Sequence, residues 1–412
     1  MTRLLLILFT AGAAFGYPLD GAARTGIRRL TAYSLANEGK IKRTITLPPG
    51  ALLTTAQIQL RLTGAARGFD VTSSTKTDPY LQAGLEKIFS TRDPSYNIAM
   101  LDISDPARPA YASLRPDEKR IPGSVGKLLV ATGVFGALQR VHPTDAAARA
   151  RLLKETIVTA DSFVYRDGKT VPFYNPDDTA ILNRRLEAGD KFSLYEWLDH
   201  MLSQSSNAAA SITWKQLMLL YRFGADYPLP AAKAAAFFKE TPKLDQRDLA
   251  LESIESAVTA SGINTDKLRI GTFFTSNASN AIPGTASHAT SNELLRWLIK
   301  LEQGKIVDEW SSLELKRLLY FSRPRYRYSS SPALSKAAVY FKSGSLFECE
   351  PEPGYQCVQY KGNKLNLMHS VAIVESGTKV YLVSMMSNVL RLNSAVEHQT
   401  IATELERLVQ AR

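Results

Sequence analysis

Ser124 and Lys127 stand three residues apart in Ser124-Val125-Gly126-Lys127, directly ahead of the apolar run Leu128, Leu129, Val130, Ala131. Residues three apart share one face of a helix, so this spacing sets an amine beside a hydroxyl. A serine hydroxyl is a weak nucleophile at neutral pH, and a lysine whose pKa is lowered by burial or by a neighbouring cation can take its proton. A serine at a helix start also lies among unpaired backbone N–H groups that can hold a developing oxyanion. The spacing alone is common: Ser73 and Lys76 repeat it without helical context.

Two further segments carry groups suited to the same chemistry. Ser205, Ser206 and Asn207 follow the helical pattern Tyr195, Trp197, Leu198, Met201, Leu202 and supply hydroxyls and an amide on a tight turn. Ser and Asn also cap helices, and Ala208, Ala209 and Ala210 begin one here. Lys342, Ser343 and Gly344 end the strand-like run Val339, Tyr340, Phe341, with Ser345 next. A cation and a hydroxyl on an edge strand suit a substrate carboxylate, and glycine lets a ligand approach the backbone. A lysine that merely blunts a solvated edge is the plainer alternative.

The elements that must position these groups are legible in outline. Apolar spacing predicts a helix over Pro79 to Phe89 and a strand over Tyr96 to Ile103. At the far end, Ala337 to Phe341, Ser370 to Val374 and Val380 to Met385 read as strands, and Ser394 to Val409 as a helix. Between them the helical period dominates: Leu128 to Leu138, Leu194 to Leu202, Ala208 to Leu220, Ala231 to Phe238, Leu249 to Ala260 and Ser291 to Leu301. The expected fold class is α+β: an antiparallel sheet formed by both ends of the domain, flanked by helices, with an inserted all-helical subdomain. A cleft between sheet and helices is where a site would lie.

Taken in order, Ser-x-x-Lys, a Ser-x-Asn turn and Lys-Ser-Gly on a strand resemble the signature of class A β-lactamases and penicillin-binding proteins, whose usual forms are Ser-x-x-Lys, Ser-Asp-Asn and Lys-Thr-Gly. The resemblance spans about residues 77 to 412 and includes Ile121-Pro-Gly-Ser-Val-Gly-Lys-Leu, Gly189-Asp190, Met201 to Ala209, and Ala289-Thr290-Ser291-Asn292-Glu293-Leu294-Leu295. It implies that Ser124 is acylated, that Lys127 accepts its proton and that Ser205 relays a proton to the leaving nitrogen. Asn207 would hold the acyl side chain of the substrate, and Lys342 and Ser343, beside Gly344, its carboxylate. The N–H groups of Ser124 and Ser345 would form the oxyanion hole. The implied layout is a leader over 1–16, an N-terminal extension over 17–76 and a catalytic domain over 77–412, with helices inserted over about 141–334. Ser206 for Asp and Ser343 for Thr are mild departures.

A larger departure concerns release of the acyl group. Class A enzymes activate the deacylating water with a Glu, in a Glu-x-x-Leu-Asn pattern shortly before an Ile-Pro pair. Ahead of Ile282-Pro283 this chain has Thr275 where the Glu should be and Ser279 where the Asn should be. Glu240, Glu252 and Glu255 lie upstream without the expected neighbours. A positioned general base contributes about 10²- to 10⁴-fold, so acylation is expected to outrun release.

Composition bounds the setting. The chain has 412 residues, 45% apolar and 22% charged, which suits a globular protein with a large core and excludes disordered and fibrous classes. Met1-Thr2-Arg3 followed by the uncharged Leu4 to Gly16, with small Ala14 and Gly16 before Tyr17, reads as a secretory signal, so the periplasm or the exterior is expected. The run is too short to span a bilayer, no later segment does so, and no cysteine there could take a lipid. Net charge is +11, suiting anionic surroundings such as cell wall or lipid headgroups. Arg323-Pro324-Arg325-Tyr326-Arg327-Tyr328 interleaves cations with aromatics as nucleic-acid binders do, but it is one isolated run and no nucleic acid is expected. Cys349 and Cys357 flank a Pro/Gly turn and should pair outside the cytoplasm, worth roughly 2 to 3 kcal/mol. His142, His200, His288, His369 and His398 show no ligand spacing, so neither a metal nor another cofactor is expected. The expected partner is a small β-lactam or a peptidoglycan-type D-Ala peptide, met by a monomer without a transmembrane anchor. A D,D-carboxypeptidase or endopeptidase, or a wall-binding module without turnover, are the competing readings.

Overall fold

The computed structural model describes residues 20–42, 47–320 and 325–412. The expected leader through Gly16 and Tyr17, and Arg323 and Pro324 of the cationic run, lie outside the described residues. Strands β1 (Asn97–Asp102), β2 (Ala110–Leu114), β3 (Ala338–Glu348), β4 (Leu365–Ser376) and β5 (Lys379–Asn388) form one antiparallel sheet in the order β2-β1-β5-β4-β3. The early and late parts of the chain meet where β1 pairs with β5, Met100 lying opposite Val383. The fold is α+β. The longer helices are α1 (Arg28–Asn37), α2 (Pro79–Phe89), α3 (Lys127–Val141), α4 (Leu194–Ser203), α5 (Asn207–Phe223), α6 (Lys243–Ala260), α7 (Ser291–Glu302), α8 (Glu309–Tyr320) and α9 (Ala395–Gln410).

The sheet is covered on both faces, which is why its central strands are apolar at odd and even positions alike. Ile98, Met100, Tyr381 and Val383 pack with Leu81 and Leu85 of α2 and with Ile401 and Leu405 of α9. Ala99, Leu101, Ile373 and Leu382 join the larger core shared with the inserted region. Within that region α3 packs against α5 and α6, and it is buried from Lys127 through Leu138.

Two expectations need correction. The inserted region is not all helical: Ile157–Thr159 pairs with Lys191–Ser193, Thr170–Phe173 with Leu182–Arg185, and Leu268–Arg269 with His288–Ala289. These ribbons are two to four residues a strand, too short for a period-two signal. Strand β2, Ala-Tyr-Ala-Ser-Leu, also escaped the pattern, since small residues carry little of it and pairing with β1 selects the extended form.

The segment ahead of α2 is built into the main core through Ile27, Leu30, Ile58, Leu62 and Val71. Ion pairs bind it as well. Buried Arg29 of α1 grips both carboxylate oxygens of Asp199 on α4 at 2.6 Å, and Asp70 takes Arg296 and Lys300 of α7 at 2.9 and 2.8 Å. Lys316 of α8 sits at the centre of a third network, its Nζ 2.7 Å from both Glu302 and Glu375 and 2.6 Å from the carbonyl of Gln59. Lys316 and Glu302 side chains are wholly buried, and burial pushes the Glu302 carboxyl up while Lys316 holds it down. Removing one member of a buried pair strands the other charge. Lys316→Met should therefore cost about 3–5 kcal/mol, read as a lower urea midpoint with unchanged slope. Adding Glu302→Gln should restore much of that loss.

Candidate active site

Ser124 lies in a short 3-10 stretch, Gly123–Gly126, that runs directly into α3. It lies against β3. A Cβ added to Gly344 would stand 2.5 Å from the carbonyl of Pro122, and one on Gly123, whose φ is +52°, would stand 3.3 Å from Ser345 N. Only glycine at position 344 permits that approach, which brings Ser124 and Ser345 to the same cleft. From the other side of the sheet edge, His369 Nε2 lies 2.9 Å from the carbonyl of Ile121. Burial lowers that histidine to about 4, so the neutral ring donates and holds the turn in place.

Lys127 is wholly buried, with Nζ 3.1 Å from Ser124 Oγ, 2.7 Å from the carbonyl of Ser205 and 2.7 Å from Asn207 Oδ1. Burial, and then the charges of Lys169 and Lys342, pull its pKa well below the usual lysine range, against an opposing pull from Asp167. A neutral amine has two N–H groups and one lone pair. The Ser205 carbonyl and the Asn207 amide oxygen can only accept, so they take both N–H groups and leave the lone pair for the Ser124 hydroxyl.

Ser205 holds the second lysine too. Lys342 Nζ donates to Ser205 Oγ at 2.9 Å and to the Ser343 carbonyl at 2.8 Å. Its pKa is also well below normal, through burial and then the charges of Lys169 and Arg327. Ser205 adopts φ +57°, a left-handed conformation that costs a non-glycine residue on the order of 1–3 kcal/mol and needs surrounding contacts to persist. Those contacts are the two lysines and the turn itself. Ser206 caps α5 by accepting from Ala209 N and donates its hydroxyl to Asp167 Oδ2 at 2.8 Å, an oxygen that also accepts from Ala208 N at 2.9 Å. Asp167 thus delivers to the helix start the carboxylate that Ser206 lacks.

The structure therefore gathers Ser124, Lys127, Ser205, Asn207, Lys342, Ser343, Gly344 and Ser345 around one cleft of about 340 Å³. Asn207 faces Lys127 and is not part of the cleft wall. Cys349 and Cys357 are joined by a disulfide at the far end of β3 and do not line the cleft. Sequence reasoning missed Asp167 and Lys169, whose Asp-Gly-Lys context signals only a turn. It noted Tyr326 and Arg327 only as part of an isolated run of alternating cations and aromatics. Both line the cleft: Tyr326 accepts from Ser343 Oγ at 2.9 Å, and Arg327 donates to the Gly344 carbonyl and Ser345 Oγ at 3.0 and 3.1 Å. Neighbouring Arg325 is spent on the carbonyls of Leu334 and Ala337, and Tyr328 is buried.

The loop ahead of Ile282-Pro283 closes on the other side of Lys127. The Phe274 ring lies 5.0 Å from Lys127 Nζ. Thr275 is buried, caps the short helix Ser276–Ala281 and donates to the carbonyl of Phe163 at 2.6 Å. Phe273 stacks on Trp214 at 4.4 Å. No carboxylate comes from this loop.

No family model matches the chain, and no curated protein matches it in sequence. Solved structures do match in fold. The TLA-3 extended-spectrum β-lactamase aligns with TM-score 0.53 at 12% identity over 79% of this chain and 97% of its own. A β-lactamase from Sphaerobacter thermophilus aligns with TM-score 0.51 at 13% identity over 80% and 95%. The penicillin-binding protein PBP-A aligns with TM-score 0.50 at 12% identity over 83% and 100%. The chain has the β-lactamase/transpeptidase-like fold.

The lowered pKa of Lys127 rests on burial first and on its cationic neighbours second, which fixes a sign. Removing the Lys342 charge lets Lys127 keep its proton to higher pH. In Lys342→Met, the acidic limb of the pH profile for Ser124 acylation should therefore move to higher pH than in wild type, beyond any loss in maximal rate. Stopped acylation traces with a fluorescent penicillin across pH would measure it, and an unmoved limb would contradict the electrostatic coupling.

Proposed function

We propose that this protein is an exported, monomeric serine hydrolase that forms an acyl-enzyme on Ser124 with β-lactams or D-Ala-type peptides and releases it slowly. The observation that carries this reading is the arrangement at Lys127: a buried amine whose two N–H groups are occupied by pure acceptors and whose remaining position faces Ser124 Oγ at 3.1 Å. That is the geometry of a general base for a nucleophile.

In this scheme Ser124 Oγ attacks the carbonyl carbon while its proton passes to Lys127 Nζ. The N–H groups of Ser124 and Ser345 receive the developing oxyanion. As the C–N bond breaks, the nitrogen takes the proton of Ser205 Oγ, and Lys342 Nζ, hydrogen-bonded to that hydroxyl, replaces it. Lys342 and Ser343 also attract the substrate's carboxylate. Release then needs a base for water, and the loop that would carry one offers Phe274 and Thr275 instead. No helix among the described residues is long and apolar enough to cross a membrane.

Intact-mass analysis after mixing with benzylpenicillin should show one adduct of the drug's full mass, absent in Ser124→Ala and decaying slowly. Lys127→Ala should acylate about 10²- to 10⁴-fold more slowly. Unmodified wild-type protein beside intact drug would overturn the proposal, and rapid drug turnover would overturn its slow-release half.

A further inference from the structure

Lys169 enters the scheme above only through its charge, which helps lower Lys127, yet it lines the same cleft as Ser124, Ser205 and Ser343. Its place is fixed by construction. Asp167 Oδ1 accepts from the Lys169 backbone N–H at 3.1 Å, while the other oxygen of that carboxylate is tied to Ser206 Oγ and Ala208 N. The turn bearing Lys169 is thereby bolted to the turn bearing Ser205. Among the described residues no carboxylate lies within ion-pair distance of its ammonium and no acceptor takes a hydrogen bond from it. Arg327 faces it across the cleft on the β3 side, with part of its guanidinium committed to the Gly344 carbonyl and Ser345 Oγ. These are the charged residues of the cleft wall, and both are cations.

The wall also tells which end of a substrate lies here. It includes Ser205, assigned to the leaving nitrogen, and Ser343, assigned to the carboxylate, but not Asn207, assigned to the acyl side. We propose that the leaving-group half of the cleft recognises a second negative charge through Lys169, so that the favoured leaving group is an amino acid with a carboxylate in its side chain besides its α-carboxylate. This rests on the acyl-enzyme reading and deepens it. Lys342 and Ser343 take the α-carboxylate. Lys169, lining the same cleft, takes the second, with Arg327 adding its field. The electrostatics agree, because burial holds the Lys169 ammonium down to about 8 against the pull of Asp167, with Arg327 lowering it further. An arriving carboxylate would relieve that cost.

The test is competition, which needs no turnover of the peptide. N-acetyl-Gly-D-Ala-D-Glu and N-acetyl-Gly-D-Ala-D-Ala are titrated against acylation of the full chain by a fluorescent penicillin. The D-Glu peptide should compete at about ten-fold lower concentration in wild type. Lys169→Met should bring the ratio of the two potencies to about one, and Lys169→Arg should keep it. Equal potency in wild type, including no competition by either peptide, overturns the proposal. So does a Lys169→Met protein in which both peptides weaken alike, which would mark a purely structural role beside Asp167. Acylation by penicillin alone reports separately on Ser124, so the proposed function can stand while this inference falls.

Discussion

One residue in a strained conformation holds two buried ammonium groups. The carbonyl of Ser205 takes Lys127 and its hydroxyl takes Lys342, and no counter-ion pairs with either lysine among the described residues. Charges in such a place are costly, and the cheapest response is to give up a proton. The charges of Lys169 and Lys342 reinforce that response at Lys127, and those of Lys169 and Arg327 at Lys342. The remaining architecture serves to keep three distant segments close enough for this coupling to operate. Strand β3 presses on the turn of Ser124 where Gly344 leaves room, His369 holds that turn from behind, and Asp167 fixes the third segment through the start of α5.

Much of this was readable in the residues. The helix after Ser124, the turn of Ser205 to Asn207 and the strand carrying Lys342 each have a local signal, and their order along the chain points to one fold. Sequence did not reveal Asp167, Lys169 or Arg327, because nothing local distinguishes a turn that projects into a cleft from one that projects into solvent. Arg325, Tyr326, Arg327 and Tyr328 illustrate the limit. Their alternation resembles a binding stripe, whereas Arg325 and Arg327 are bound to backbone carbonyls of nearby segments and Tyr328 is buried. The short ribbons of the inserted region and strand β2 were lost for a different reason. Their extended form comes from pairing partners and not from any pattern of their own.

Thr275 shows how a missing function and a structural role can share a position. Its hydroxyl caps a helix and latches the loop to Phe163, with Phe273 stacked on Trp214 beneath. A longer acidic side chain would forfeit the cap and bring an unpaired charge into a closed aromatic setting. The loop is therefore finished as a wall. Beside it, the Phe274 ring faces Lys127 Nζ.

The strand order carries a consequence for how the molecule comes into being. Strand β1 must wait for β5, some 280 residues later, before its free edge is closed. During synthesis a partial chain holds Ser124 and the Ser205 turn but neither Lys342 nor the strands that seat it. Contacts of such long sequence separation form late and slowly. The cleft, which needs strand β3 beside the turn of Ser124, is therefore among the last parts of the molecule to be assembled.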